Sequence, residues 1–100
     1  MWRGTTPTHV FTLPDEFADT AFETVFVTYS QNGSAVLEKT ASDLTREENR
    51  LTLPLSQEDT LRFSEGAVKI QLRVKTAAGQ ALASNIISTT ASELLKDGVI

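Results

Sequence analysis

The longest regular pattern in the chain is an alternation of apolar and polar residues from Ala67 to Thr76. Successive side chains of a β-strand point to opposite faces, so this alternation predicts a strand with two different sides. The apolar side is expected to pack on a core and the polar side to meet water, which is typical of antiparallel sheets. The inward residues are Val68, Ile70, Leu72 and Val74, and the outward residues are Lys69, Gln71, Arg73 and Lys75.

Five further segments have the residue types or the alternation of strands. Asn32-Gly33 between two of them is a strong hairpin signal, because a type I′ turn needs a positive φ at both central residues. Ala77-Ala78-Gly79 is a second tight turn, and the polar stretch from Ala41 to Asn49 is predicted as a surface loop. The predicted strands are Thr8–Leu13, Phe22–Gln31, Ser34–Lys39, Leu51–Leu55 and Gln80–Thr89.

Two short stretches break the strand period. Ser56 with Asp59 resembles a capping box, which predicts one helical turn that ends at Glu65-Gly66. Thr90 with Glu93 fits a second capping box and predicts another helical turn near the end of the chain.

These elements predict a small antiparallel, immunoglobulin-like β-sandwich of about six to seven strands in one domain, residues 1–100, with residues 1–6 as an N-terminal arm. The two hairpins are expected in one sheet, and strands Thr8–Leu13 and Leu51–Leu55 in a smaller one. Pro54 has no N–H for a ladder, so Leu51–Leu55 is predicted to be an edge strand. The residues predicted to be buried are Leu53, Ile70, Leu72 and Ile86.

Composition and charge narrow the function classes. The net charge of -4 argues against nucleic acid as the main partner, so Lys69, Arg73 and Lys75 are interpreted as the solvated face of a strand. The chain has no cysteine, which excludes disulfides and thiolate chemistry. Neither a secretory signal nor an apolar run of the ~20 residues that span a bilayer is found. We therefore expect no membrane partner and synthesis in the cytoplasm.

Candidate catalytic and metal-binding groups are few. His9 is the only histidine and has no nucleophile near it in sequence, so a packed or edge histidine is the favoured interpretation. Asp15-Glu16 and Glu47-Glu48 lack the spacing of a calcium loop and are interpreted as solvated turn charges. The scattered glycines form no phosphate-binding loop. We therefore predict no enzyme activity, no cofactor and no metal.

The chain ends carry large apolar residues, which makes them candidate interface segments. Trp2 and Arg3 precede the first strand, and Val99 and Ile100 finish the chain. Termini fray unless they are tied down, so these residues either pack on their own core or dock on a neighbouring subunit. Tryptophan and arginine are enriched at interface hot spots. Both possibilities stay open from the sequence, and the predicted contact is an arm that reaches a neighbour's groove.

The whole chain resembles a family of small structural proteins encoded in phages and prophages of Firmicutes. The acidic stretch Asp15–Phe17 departs from the family's pattern and leaves that loop unmatched. The matching stretches are Arg3–His9, Val27–Gly33, Leu55–Leu61, Ile70–Val74, Ala81–Asn85 and Asp97–Ile100.

The resemblance implies a virion structural or assembly protein, in the tail or baseplate region, and it brings no catalytic residues. Its partners would be other virion proteins and further copies of itself, in particles assembled in the host bacterial cytoplasm. The alternative is a free-standing module that binds carbohydrate or a host protein. Sugar binding would use exposed aromatic side chains, for which Trp2 and Tyr29 are the candidates.

Overall fold

The computed structural model describes residues 1–100. Two 3₁₀ turns, Asp15–Phe17 and Ala41–Asp43, accompany the regular elements. None of the helices has the length and apolar character that crossing a membrane requires. The regular elements are β1 (Thr8–Thr12), β2 (Phe22–Gln31), β3 (Ser34–Thr40), β4 (Thr45–Glu47), β5 (Arg50–Pro54), α1 (Gln57–Leu61), β6 (Gly66–Thr76), β7 (Ala81–Ala83) and β8 (Ile87–Ala91).

The strands form two antiparallel sheets, which confirms the predicted small all-β sandwich. In the large sheet the order is β3-β2-β6, and β7 and β8 follow one another along the other side of β6. In the small sheet the order is β1-β5-β4. As predicted, the two hairpins share the large sheet, while β1 and β5 belong to the small one.

The core lies between the two sheets and consists of 14 buried apolar residues in one cluster. Leu53, Ile70 and Leu72 are buried as predicted. Burial of one such side chain stabilises the fold by about 1.5–3 kcal/mol. The cluster consists of Phe11, Val25, Val27, Tyr29, Leu37, Leu51, Leu53, Leu55, Phe63, Val68, Ile70, Leu72, Val74 and Ala91.

The turn between β2 and β3 has the predicted geometry. Asn32 has φ 52° and Gly33 has φ 79°, so both central residues have the positive φ of a type I′ turn. The flanking pair is Gln31 opposite Ser34. The register of this hairpin is therefore set by the two turn residues.

The partner strand on the other side of β6 is interrupted. Val74 pairs with Leu82 and Ile70 pairs with Ile87, so three residues of β6 face four residues of the partner. The extra residue reverses the side-chain phase, which points Ile87 inward and leaves Ile86 58% exposed. The predicted burial of Ile86 is wrong for this reason.

Three other predictions need correction. The polar stretch Ala41–Asn49 contains a 3₁₀ turn and the short strand β4. Strand β5 is the central strand of its sheet, but β4 pairs only with residues up to Thr52, so Pro54 still lies where one side is unpaired. No helical turn starts at Thr90, because Thr90 belongs to β8 and pairs with β6.

Helix α1 begins where its capping box is predicted. The Ser56 hydroxyl accepts from the Asp59 N–H at 3.1 Å, and the Asp59 carboxylate accepts from the Ser56 N–H at 3.0 Å. Burial alone would raise the pKa of the Asp59 carboxyl, but the Ser56 hydrogen bonds and the Lys39 ammonium, 3.1 Å away, hold this pKa below its usual value. The ion pair also ties the helix to β3.

Candidate functional site

The two ends of the chain lie together, beside helix α1. The Ser92 N–H donates to the Met1 carbonyl at 2.8 Å, and the Arg3 N–H donates to the Ser92 carbonyl at 3.3 Å. These bonds form a parallel bridge between Trp2 and Ser92. The N-terminal residues are therefore tied to the segment that follows β8.

Arg3 is held by its own chain. Its guanidinium donates to the carbonyls of Phe63, at 2.5 Å, and Leu61, at 3.2 Å, at the end of helix α1. The last carbonyls of a helix have no partner within the helix, and a cation there satisfies them and favours the helix dipole. Arg3 also lies 3.6 Å from the Asp97 carboxylate. Of the predicted interface residues, Arg3 is thus a structural anchor.

The rest of the arm also packs on the chain. The Thr60 hydroxyl donates to the Thr5 carbonyl at 2.8 Å, and the Leu55 N–H donates to the Pro7 carbonyl at 2.9 Å. Gly4 has φ 70°, and a Cβ built there would lie 2.6 Å from the Leu94 side chain. The Met1, Thr5 and Pro7 carbonyls and the Arg3 N–H are thus bonded within the molecule, so the arm packs on its own chain. The predicted docking of this arm in a neighbour's groove stays a prediction.

The C-terminal residues are fixed at the start of the same helix. The Gln57 side chain donates to the Ile100 carbonyl at 3.1 Å and accepts from the Ile100 N–H at 2.8 Å. Helix α1 therefore holds the C-terminal segment at its beginning and Arg3 at its end.

Four apolar side chains project into solvent from these anchored segments, and we call them the terminal surface: Trp2, Leu95, Val99 and Ile100. Trp2 is 59% exposed although its backbone is bridged to Ser92. The predicted candidates Trp2, Val99 and Ile100 are thus brought to one end of the molecule with their apolar groups in water. Exposed apolar side chains on neighbouring anchored segments are candidates for an interaction surface.

Leu95 is the member that sequence reasoning missed. The sequence predicts a helical turn that includes Leu94 and Leu95, and it gives Leu95 no role. In the segment after β8, Leu94 is half-buried against Gly4, and Leu95, where the chain bends, is fully exposed.

His9 is a packed histidine, as favoured. Its Nδ1 lies 2.6 Å from the Tyr29 hydroxyl, and the two rings are 5.6 Å apart. Burial, and then the positive charge of the amino terminus, lower the pKa of the His9 imidazole. Burial, and then the charge of Asp59, raise the pKa of the Tyr29 hydroxyl. Both groups are therefore held neutral, and their role is to join β1 to β2.

Tyr29 is fully buried in the core. It contacts His9 on one side and Phe63 on the other, with 5.7 Å between the ring centroids of Tyr29 and Phe63. The prediction that Tyr29 could be an exposed sugar-stacking aromatic is wrong. A tyrosine in the inward phase of β2 could have been identified from its neighbours Val25 and Val27.

The acidic pairs Asp15-Glu16 and Glu47-Glu48 are exposed, at one end of the molecule. The Asn49 side chain donates to Asp15 at 3.1 Å and to the Leu13 carbonyl at 2.7 Å, which joins the first turn to the β4–β5 turn. No group of three or more potential metal ligands is found in the structure.

A groove separates β1 from β7 and β8, the edge strands of the two sheets on the same side of the sandwich. One part, of about 300 Å³, is lined by His9, Phe11, Ile70 and Ile87. The other, of about 400 Å³, is lined by residues that include Leu13, Leu72 and Leu82. The sandwich is thus open along this side.

Comparisons with known proteins add no relative. No protein-family model, no curated protein and no solved structure matches the chain.

Proposed function

We propose that the chain is a structural or assembly protein of a phage virion, from the tail or baseplate region, that works through contacts with other virion proteins and with copies of itself. The observation that carries the proposal is the terminal surface. The resemblance to phage structural proteins supports the virion context.

The terminal surface is suited to a protein contact because its apolar side chains stand on a fixed backbone. Trp2 is held by the bridge to Ser92 and Ile100 by Gln57. A partner that buries these side chains gains about 25 cal/mol for each Å² of apolar area removed from water. Little backbone freedom is lost in return, and such preorganisation favours tight association.

The proposal is tested by incorporation into particles. Phage particles would be purified from cells that carry the gene in its native context, and the chain quantified by mass spectrometry. The test variant combines Trp2→Ser and Leu95→Ser, because both side chains are exposed. Deletion of residues 1–5 is avoided, since it would also remove the Arg3 bonds to helix α1.

Val10→Ser is the matched control, since Val10 is also an exposed apolar residue but lies on β1, outside the terminal surface. We expect the wild-type and Val10→Ser chains in particles, and the double variant folded by circular dichroism but depleted at least about tenfold, the loss that 1.4 kcal/mol produces. Absence of the wild-type chain from particles would contradict the virion proposal. Normal incorporation of the double variant would contradict the role of the terminal surface.

A further inference from the structure

Three cations project from the outer face of the large sheet, which also carries the exposed carboxylates of Glu23 and Glu38. Lys69, Arg73 and Lys75 project from this face of β6, and all three are exposed. Lys75 lies 4.0 Å from Glu23, whereas Lys69 and Arg73 have no anion within ion-pair distance. Residues four apart on a strand are about 13 Å apart, so Lys69 and Arg73 lie far enough apart to contact two separate groups of one partner protein.

An aromatic ring lies beside these cations. Phe26 of β2 is directly opposite Arg73 and is 38% exposed. The outward neighbours on either side are small: Thr24, Thr28 and Ser30 on β2, and Ala81 and Ala83 on β7. We call Phe26, Lys69 and Arg73 with these neighbours the basic face. A cavity of about 180 Å³ lined by Phe26 and Arg73 lies on this face. The charges and the ring are accessible to a partner.

An acidic surface lies at one end of the same molecule. Five exposed carboxylates surround the joined turns there, and we call them the acidic tip: Asp15, Glu16, Asp19, Glu47 and Glu48. Arg46 lies among them, but its guanidinium donates to the carbonyls of Phe17 and Glu48, both at 2.8 Å, and lies 4.0 Å from the Phe22 ring centroid. Arg46 and Arg50, which pairs with Glu47 in the β4–β5 ladder, are both exposed, so five carboxylates and two guanidinium groups leave the tip with a net negative charge.

We propose that the basic face of one molecule binds the acidic tip of a second copy. Lys69 and Arg73 have no ion-pair partner in their own molecule and the tip has an excess of carboxylates. Complementary potentials of this kind steer association and fix the register of a contact. The Phe26 ring would supply apolar area at the centre, and the unpaired Lys69 and Arg73 would meet carboxylates. The contact uses none of the four residues of the terminal surface, so its failure would leave the function proposed above standing.

The two surfaces differ, so the contact is head-to-tail. Each molecule keeps one free basic face and one free acidic tip after pairing, and association then continues into rings or chains. Rings and stacks of identical subunits are the assemblies that such contacts build. The contact depends on salt, since ions screen exposed charges.

The test uses two variants that each disable one surface. In the face variant, Lys69→Gln and Arg73→Gln remove the cations. In the tip variant, Glu47→Gln and Glu48→Gln remove two carboxylates. The matched controls are Arg62→Gln with Lys96→Gln, and Glu58→Gln with Glu65→Gln. They change the net charge equally at exposed positions outside both surfaces.

Sedimentation velocity over a concentration series would be run at about 0.02 M ionic strength and again at about 0.5 M. We expect wild type and both controls to self-associate at low salt, and the face and tip variants each to weaken this at least about tenfold. A one-to-one mixture of the two variants should form a dimer, because one supplies an intact tip and the other an intact face.

Four results would overturn the proposal. A wild-type chain that stays monomeric at low salt has no such contact. Controls that weaken association as much as the face and tip variants would show an effect of net charge alone. A mixture that fails to pair would show that the two surfaces do not meet. A monomeric wild type that binds a short oligonucleotide through Lys69 and Arg73 would make nucleic acid the occupant, which also overturns it.

Discussion

Strand β6 has neighbouring strands on both sides. The core is covered more completely on the β2 side than on the side of β7 and β8. On the β2 side, Val25, Val27 and Tyr29 are buried. On the other side, Leu82 of β7 is half-buried and Ile87 of β8 is exposed, beside the groove that faces β1. Both neighbours pair with the same strand, so backbone hydrogen bonding does not explain the difference.

Side-chain size explains it better. Tyr29 reaches from β2 to His9 of the small sheet, with 2.6 Å between its hydroxyl and the imidazole Nδ1. The inward residues of β8 other than Ile87 are Thr89 and Ala91, which are too small to cross the gap between sheets. A sandwich is therefore closed by large inward residues of both sheets, and it stays open where one sheet supplies small ones.

The largest expected effect is in the core, at a residue of β6 that faces the closed β2 side. Leu72 faces Val27 across the β2–β6 pair and is buried. We expect Leu72→Ala to lower the free energy of unfolding by about 2–5 kcal/mol, through lost burial and the cavity left behind. Leu82→Ala on β7 should cost under about 1 kcal/mol, since that side chain already meets water. Urea unfolding measures both, and equal losses would show that the two sides are closed alike.

A second prediction compares the two hairpin turns by the loss of unfolding free energy when the glycine of each is substituted. Nothing lies within 4 Å of a Cβ built on Gly33, so Gly33→Val tests the backbone alone. A β-branched residue at φ 79° costs about 1–3 kcal/mol. Gly33→Asn is the control and should cost less, because asparagine tolerates this region.

Gly79, at φ 92°, offers the comparison on the open side. Gly79→Val strains the backbone similarly, but it can relax by fraying β7, which has three residues. We expect a smaller loss of unfolding free energy than for Gly33→Val. A larger loss for Gly79→Val would mean that β7 and β8 contribute more to stability than their exposure suggests.

The same contrast decides what the sequence could predict. The alternation of β6 leaves one choice of inward phase, and the structure confirms it. Between Leu82 and Ala91 most residues are small or polar, and Ile86 and Ile87 stand side by side. Either isoleucine could be inward, and the extra residue near Ser84 that selects Ile87 has no signal of its own. The Ser84 hydroxyl, which accepts from the Leu72 N–H at 3.0 Å, satisfies that donor where the ladder shifts.

Some residues of the candidate site could be predicted from the sequence, and others could not. Large apolar residues at the chain ends indicated Trp2, Val99 and Ile100 from the sequence alone. The positions of Arg3 and Leu95 depend on long-range contacts, namely the helix-end carbonyls of Leu61 and Phe63 and the bridge to Ser92. Such contacts join residues about sixty to ninety positions apart, and no local pattern reports them.

A third and smaller effect tests the phase of β8. Ile86→Ser should change the free energy of unfolding by less than about 0.5 kcal/mol, because that side chain points to solvent. Ile87→Ser should lower the free energy of unfolding by about 1 kcal/mol. About half of Ile87 is buried at the edge of the core, and the substitution removes that buried apolar area. The two substitutions match in chemistry and differ only in direction. A larger loss of unfolding free energy for Ile86→Ser than for Ile87→Ser would mean that Ile86 points inward. The partner strand of β6 would then contain no extra residue.

The smallest effect concerns His9, which lies where the closed and open sides meet. It bonds to Tyr29 on the closed side and lines the groove on the open side. Its folded-state pKa is lowered below the ordinary value of 6.5, so the unfolded chain binds a proton first as the pH falls. The His9 contribution to stability is therefore complete above pH 6.5 and is lost as the pH falls through the lowered pKa of the folded state.

Urea unfolding between about pH 5 and pH 8 measures this loss. We expect the free energy of unfolding to fall on the acid side of pH 6.5 in wild type and to stay level in His9→Gln. Asp59 does not interfere, because its lowered pKa lies below the ordinary value of 3.8. If His9→Gln keeps the wild-type pH slope, another group titrates in this range. If wild type becomes more stable as the pH falls, the protonated imidazole is accommodated, and the groove admits enough water to make His9 part of the open side.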